Sequence, residues 1–226
     1  TAVWNGNPFE AIELEGDGME SIVLDGCLNI GRRTLSDILL HIHPAHLTHL
    51  SLNGCHNLDH EMVTLLTPLT ALTSLHLEYT SIIDDSLKAL IPLPLQRLSL
   101  GGPWISSSAI PHLSQMTQLT QLSIKKSKLE NISGLKKCVG LTDVNLSYCH
   151  FTDKSCSHFL KSQMTALKRL KVVNTPLSDS AFAEALKQSQ TNLIEWQLDG
   201  TLITATTLES IGKSATSLTH LSFSRC

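Results

Sequence analysis

The sequence predicts an α/β solenoid built from about nine strand–turn–helix repeats, with a parallel sheet on the concave face and helices on the convex face. Three observations predict it. A nine-residue frame, L-x-x-L-x-L-x-x-C/T/S, recurs along nearly the whole chain, with Pro103 replacing the last residue once. The centre of each frame alternates apolar and polar residues, as a strand with one buried face does. The stretches after several frames carry apolar residues at three- and four-residue spacing, as a helix with one buried face does.

The frames begin at Met19, Leu47, Leu72, Leu95, Leu119, Leu141, Leu167, Leu193 and Leu218, separated by 28, 25, 23, 24, 22, 26, 26 and 25 residues. Self-similarity at such a period is the signature of stacked supersecondary units. In the frame from Leu47, Leu50 and Leu52 fall on one face and Ser51 on the other. The segments DDSLKAL at 84–90, DKSCSHFLKS at 153–162 and SDSAFAEALKQS at 178–189 read as helices. Asp84, Asp153 and Asp179 are placed to serve as N-caps or first-turn acids. One such unit has nothing to bury its apolar face against, so stacking must join the strands into one sheet with the helices behind it. Leu58, Ile82, Ile105, Leu129, Phe151, Leu177 and Ile203 are expected to fill the space between together with the frame leucines. Each such burial is worth roughly 1.5–3 kcal/mol. The repeat from Leu119 is short, and its NISGLKKC segment has room for little more than a turn of helix, so a change of curvature is expected there.

Residues 19–226 are therefore read as one repeat domain, and residues 1–18 as a terminal cap of strand and turn. Ile12–Leu14 is expected to pair with Ile22–Leu24 after a tight turn at EGDG, residues 15–18. Beyond Cys226 no helix closes the stack, so a longer chain or a partner is expected to cover that end. The chain starts at Thr1 with no charged-then-apolar leader, and is read as a trimmed or processed segment.

Composition agrees with a core of many small contacts: 42% of the 226 residues are hydrophobic but only 4% aromatic. A formal net charge of −3 does not point to nucleic acid. No apolar run of about 18 residues is present, so no spanning helix and no membrane partner are expected.

Cys27, Cys55, Cys149 and Cys226 share the ninth position of the frame, which Thr80, Thr175, Thr201 and Ser127 fill elsewhere. A small side chain with a weak donor suits a turn whose backbone groups need partners. Cys27, Cys55 and Cys149 are expected to be reduced and buried, and the absence of C-x-x-C argues against zinc. Frames ending in Cys before an acidic helix start, such as LSLNGCHNLDHEMV and VNLSYCHFTDKSCSHF, resemble the cysteine-containing leucine-rich repeats. That family includes F-box-type ubiquitin-ligase receptors and related intracellular proteins without an F-box. The resemblance covers about residues 19–226 and implies a leucine-rich-repeat solenoid, ligand presentation on the concave sheet and a cytoplasmic location.

The second, third, fifth, seventh and eighth positions are expected to face outward. Among them Arg97, Lys125, Lys126, Lys168, Arg169 and Lys171 form a basic cluster, with Tyr79 and Tyr148 as the aromatics of that face. Between Asp85 and Asp143 there are seven Lys or Arg and only Glu130 as an acid, whereas residues 1–31 carry six acids and no Lys or Arg. The eight named side chains are the candidate binding residues for a protein partner of acidic character. His41, His43, His46 and His49 are close in sequence but straddle a helix end, a turn at Pro44 and a strand, so no metal site is expected. No catalytic motif and no cofactor-binding motif occurs. The sequence thus reads as a non-catalytic interaction module or scaffold. A ubiquitin-ligase substrate-receptor segment and an extracellular recognition domain are the alternatives.

Overall fold

Leucine or another apolar residue at the fourth and sixth frame positions drives each strand to turn one face inward, and identical spacing lets every strand do so in the same register. A computed structural model describes residues 2–3, 18–163, 165–187 and 191–226. Its strands run parallel in simple chain order: β1 (Ala2–Val3), β2 (Ser21–Val23), β3 (His49–Ser51), β4 (Ser74–Glu78), β5 (Arg97–Gly101), β6 (Gln121–Lys125), β7 (Asp143–Asn145), β8 (Arg169–Lys171), β9 (Glu195–Gln197) and β10 (His220–Ser222). From β2 onward each frame position pairs with its own counterpart. Leu50, Leu75, Leu98, Leu122, Val144, Leu170, Trp196 and Leu221 form one continuous row. The fold is thus the α/β leucine-rich-repeat solenoid that the sequence predicts. The expected cap strand at Ile12–Leu14 lies outside the described residues, and the backbone of Ala2–Val3 pairs with Ile22 and Val23.

The frame leucines and all seven inter-layer residues named above are buried in one continuous core, apart from the last frame. There Leu221 and Phe223 are 36% and 45% exposed. Among the described residues no helix is long and apolar enough to cross a membrane.

The convex side departs from a uniform row of α-helices. Helices α1 (Arg32–Leu40), α4 (Asp153–Gln163), α5 (Asp179–Lys187) and α6 (Ala205–Ser214) are full α-helices. Between α1 and α4 only two single-turn α-helices occur, α2 (His60–Val63) and α3 (Ile110–Leu113), each continuous with a 3-10 turn. The DDSLKAL segment, read from sequence as α-helical, is a 3-10 helix over Asp84–Leu90. Its buried residues Leu87 and Leu90 are three apart, and residues i and i+3 eclipse in a 3-10 helix. Ser133–Lys137, in the short repeat, is also 3-10.

Asp84, Asp153 and Asp179 do more than begin helices, because each reaches to the next repeat. Asp84 accepts from the Ser106 N–H (2.7 Å) and hydroxyl (2.5 Å). Asp153 accepts from the Ser178 N–H (3.0 Å) and from the hydroxyls of Ser178 and Ser180. Asp179 accepts from the Thr204 N–H (2.9 Å) and hydroxyl (2.6 Å) and from the Thr207 hydroxyl (2.5 Å). These bonds tie neighbouring repeats beyond the concave sheet, where strand pairing is reduced to isolated bridges at Ser106–Lys128 and Ser178–Leu202.

Candidate functional site

The exposed polar surface is built from two columns of the frame: the outward residues of the strands, and the turn that leaves them. On the strand face, the third- and fifth-position side chains of β4 to β8 line a shallow concavity of about 220 Å³ that includes His76, Arg97, Gln121, Asp143, Arg169 and Lys171. The concavity is charged with both signs. Arg169 pairs with Asp143 on the neighbouring strand. Lys171 lies 2.9 Å from Glu195, and Lys125 lies 2.9 Å from Glu78. The Ser123 hydroxyl also donates to Glu78, at 3.3 Å. Arg97 makes no ion pair among the described residues, although it touches the same concavity. Contact with Lys171 first, then other nearby groups, holds the Glu195 carboxyl below the usual carboxylate range.

Two histidines complete the strand face on its N-terminal side. The rings of His49 and His76 are 5.1 Å apart. One His76 nitrogen is 3.2 Å from the Ser74 hydroxyl and the other 3.1 Å from the Ser99 hydroxyl. Burial, then Arg97, lowers the pKa of His49; burial, then His49 itself, lowers that of His76. The pair therefore favours the neutral form. His41 bonds its own helix at the Asp37 carbonyl, and His43 stacks on His46 at 4.7 Å. Among the described residues no group of three His, Cys, Asp or Glu side chains is arranged to hold a metal.

The second column is the turn. In three frames the ninth-position N–H closes on the sixth-position carbonyl: Cys27 to Leu24 (3.3 Å), Cys55 to Leu52 (3.2 Å) and Thr201 to Leu198 (3.2 Å). A four-residue turn of this kind with φ positive at its third residue is the type II geometry. The eighth position has positive φ in all nine frames: Gly26, Gly54, Tyr79, Gly102, Lys126, Tyr148, Asn174, Gly200 and Arg225. In an L-residue the left-handed region costs roughly 1–2 kcal/mol, which glycine avoids. Four frames use glycine, and five carry a side chain despite that cost.

Three of those five meet. The Lys126 ammonium lies 5.5 Å from the centre of the Tyr79 ring and 5.7 Å from that of Tyr148, within cation–π range of both. Tyr79 and Lys126 are two frames apart, and the intervening eighth residue is Gly102, which leaves the space between them open. Both rings are exposed, Tyr79 by 38% and Tyr148 by 44%.

The ninth-position side chains secure this turn. The thiols of Cys55, Cys149 and Cys226 donate to the sixth-position carbonyl of the preceding repeat, at 3.1, 3.3 and 3.2 Å. The hydroxyls of Thr80, Thr175 and Thr201 instead donate to the sixth-position carbonyl of their own repeat, at 2.9, 2.7 and 2.7 Å. Cysteine thus bridges repeats where threonine closes its own turn. Cys27, Cys55 and Cys149 are buried, as expected, and Cys226 is exposed. Burial pushes the thiols of Cys55, Cys138 and Cys149 up to about 11, well outside the reactive range.

The eight candidate binding residues therefore fall into three sets. Arg97, Arg169 and Lys171 line the strand concavity. Tyr79, Lys126 and Tyr148 form the turn cluster, with Lys125 beside it and paired to Glu78. Lys168 is exposed at the second position and belongs to neither. The sequence reading did not pair these cations with acids. Glu78, Asp143 and Glu195 sit among these cations although Glu78 and Glu195 lie outside the acid-poor stretch of the chain. A signal was present, because Asp143 and Glu195 occupy the same third column as Arg97 and Arg169.

Parallel strands in unbroken chain order, a convex layer of helices and an open polar concave face define a leucine-rich-repeat solenoid. No protein-family model and no curated protein matches the sequence. Solved structures do. The chain is similar to an internalin (inlF) from Listeria monocytogenes, with a TM-score of 0.68 and 25% identity over 92% of this chain and 56% of that one. It is similar to a chain of the yeast Rad7–Elc1 complex, with a TM-score of 0.71 and 19% identity over 92% of this chain and 57% of that one. Against the TLR13–ssRNA13 complex the TM-score is 0.60, with 17% identity over 92% of this chain and 33% of that one. The chain spans a little over half the length of the first two.

Proposed function

We propose that this chain is a non-catalytic interaction module that binds a protein partner on its concave face and the adjoining turn. The observation that carries this reading is the shape and chemistry of that face. It is a broad, shallow concavity lined by charged and amide side chains rather than an enclosed apolar pocket. Such a surface suits a macromolecular partner better than a small molecule, whose sites are deep and mostly apolar. The partner is acidic in the part that docks, because six basic side chains, Arg97, Lys125, Lys126, Lys168, Arg169 and Lys171, outnumber Glu78, Asp143 and Glu195. The yeast Rad7–Elc1 structure, a complex of two proteins in which one chain shares this fold, supports the reading.

A pull-down with the 226-residue chain, read by mass spectrometry, is the test. Reversing Arg97 and Lys168 to Glu is expected to slow association with the recovered partner, and added salt to do the same to the parent. If the double variant binds like the parent while Lys161→Glu on the convex helix α4 abolishes binding, the working face is the helical one.

The cysteine column favours a second, finer reading: a cysteine-containing repeat of the ubiquitin-ligase receptor kind, working in the reducing cytoplasm. Thiol-bridged turns at Cys55, Cys149 and Cys226 support it. In protein isolated from its native source and denatured without reductant, all six cysteines of these 226 residues should then be free to alkylate. Fewer than six would remove the cytoplasmic reading.

A further inference from the structure

We propose that the turn cluster of Tyr79, Lys126 and Tyr148, extended by Trp104, is the docking edge for an acidic peptide segment that carries apolar side chains next to its carboxylates. This deepens the partner-binding reading above and rests on it.

The first ground is backbone strain without an internal reason. The eighth position takes a left-handed conformation in every frame, and glycine satisfies it in four. Tyr79 and Tyr148 occupy it with rings that stay exposed at 38% and 44% instead of packing into the core. Bulky residues held at positive φ are concentrated at ligand clamps, where the side chain is needed outside the fold.

The second ground is how the cluster is arranged. Lys126 is flanked by two rings, and its ammonium is 5.5 and 5.7 Å from their centres. It makes no ion pair among the described residues, whereas Lys125, Arg169 and Lys171 are each neutralised by an acid of the chain itself. Lys126 is thus a cation whose position is fixed by aromatic rings and whose charge remains available. Trp104 lies in the repeat between those of Tyr79 and Lys126, just after the same turn, and is 58% exposed. Lys128, also exposed, follows two residues after Lys126, where the chain bridges to Ser106. Trp and Tyr, exposed here in consecutive repeats on either side of a fixed cation's turn, are among the residue types that carry most of the energy at protein interfaces.

Charge selects the occupant. Glu78, Asp143 and Glu195 stand on the adjoining strand face. They occupy Lys125, Arg169 and Lys171, which leaves few cations for the many simultaneous phosphate contacts from which a nucleic acid draws its affinity. A peptide places its carboxylates singly, so one can meet Lys126 while its neighbouring side chains lie on Tyr79, Trp104 and Tyr148.

The test uses the intact 226-residue chain and an array of short synthetic peptides combining Asp or Glu with Leu, Phe or Trp. Matched arrays replace the acids by Lys or the apolar residues by Ser, and oligouridylate is run alongside. Acidic–apolar peptides are expected to bind and both matched arrays to fail. Lys126→Glu, Tyr148→Ala and Trp104→Ala should each weaken binding roughly tenfold or more. Tyr79→Gly and Tyr148→Gly should do the same while the melting temperature stays within a few degrees, because glycine suits the left-handed turn. Loss only in Arg97→Glu and Lys168→Glu would overturn the turn edge and leave the concave-face reading standing. Peptide binding untouched by either set would overturn both. Binding of oligouridylate without peptide binding, or Lys-substituted peptides binding as well as acidic ones, would also overturn this proposal.

Discussion

Residues 72–140 and 141–217 each hold three repeats of the same frame, yet they build different sections of the solenoid. In the first, strands β4, β5 and β6 run for five residues, and the convex segments are 3-10 turns or single α-turns. In the second, β7, β8 and β9 run for three, and α4, α5 and α6 have 11, 9 and 10 residues. Repeat length changes in step with the convex difference between these two sections. The first section allots 23, 24 and 22 residues per repeat and the second 26, 26 and 25. A 3-10 helix rises about 2.0 Å per residue against about 1.5 Å for an α-helix. The seven residues of Asp84–Leu90 therefore cover about 14 Å, much the same as the nine of α5. A shorter repeat crosses the back of the sheet by stretching its helix.

Side-chain hydrogen bonds at the seventh frame position do not follow strand length. Ser147 and Asp199 accept from the seventh N–H of the next repeat, Val173 at 3.2 Å and Ser224 at 2.7 Å, beside three-residue strands. Asn53 accepts from the Glu78 N–H at 2.8 Å in the same way, yet β4 runs to Glu78. Lys125 is the last residue of β6 and pairs with Glu78, the last of β4, at the edge of the turn cluster.

The largest effect should be indifferent to the section. Leu75→Ala and Leu146→Ala each remove a fully buried side chain from the same close-packed core. Each should cost roughly 2–5 kcal/mol by chemical denaturation. Ser99→Ala, on the open face, should stay within about 0.5 kcal/mol. A Leu75 loss as small as that of Ser99 would mean the 3-10 section lacks a tight core.

A sharper contrast comes from two glycines. A Cβ on Gly101 would stand 2.7 Å from the Lys125 carbonyl oxygen on the next strand. Gly101→Ala should therefore destabilise by roughly 1–3 kcal/mol, as overpacking does. A Cβ on Gly212, within α6, meets nothing within 4 Å. Gly212→Ala should therefore stabilise by about 0.5–1 kcal/mol. Opposite signs in the melting curves are expected, and equal signs would break the account of how closely β5 and β6 approach.

The smallest effect is a dependence on pH. The Thr204 hydroxyl and N–H, with the Thr207 hydroxyl, hold the Asp179 carboxyl below the usual carboxylate range. Burial opposes the same shift at Asp153, but its bonds to Ser178 and Ser180 prevail and its carboxyl is lowered too. A carboxyl whose folded value lies below its unfolded value adds stability above the unfolded value. That stability is lost as pH falls through the folded one. As pH falls below about 4 the second section should lose hydrogen-exchange protection, and Asp179→Asn should flatten that dependence while lowering stability at pH 7. A pH profile unchanged by Asp179→Asn would show that this carboxylate does not tie α5 to the next repeat.

How much of this was legible in the sequence differs from column to column. The fourth- and sixth-position leucines announced the sheet, its face and its order, because burial acts on every repeat alike and a period is visible without coordinates. The helical spacing in 153–162 and 178–189 was equally plain, whereas DDSLKAL matched an α pattern and a 3-10 pattern at once. The basic residues were also legible, but their partners were not, since Lys125 and Glu78 are 47 residues apart in the chain and meet only across β4 to β6. The eighth position, read as merely outward, carries the left-handed turn, and its mixture of Gly, Tyr, Lys, Asn and Arg hides a shared φ that composition does not encode.

The sequence by itself determined the repeat, the core and the inward face, because hydrophobic burial depends on local pattern and recurs at a fixed spacing. Only the tertiary structure decided which charges cancel, which helices are stretched and which three side chains meet at the turn. Those outcomes depend on distances between repeats, and they are set by stacking geometry rather than by any one segment of the chain.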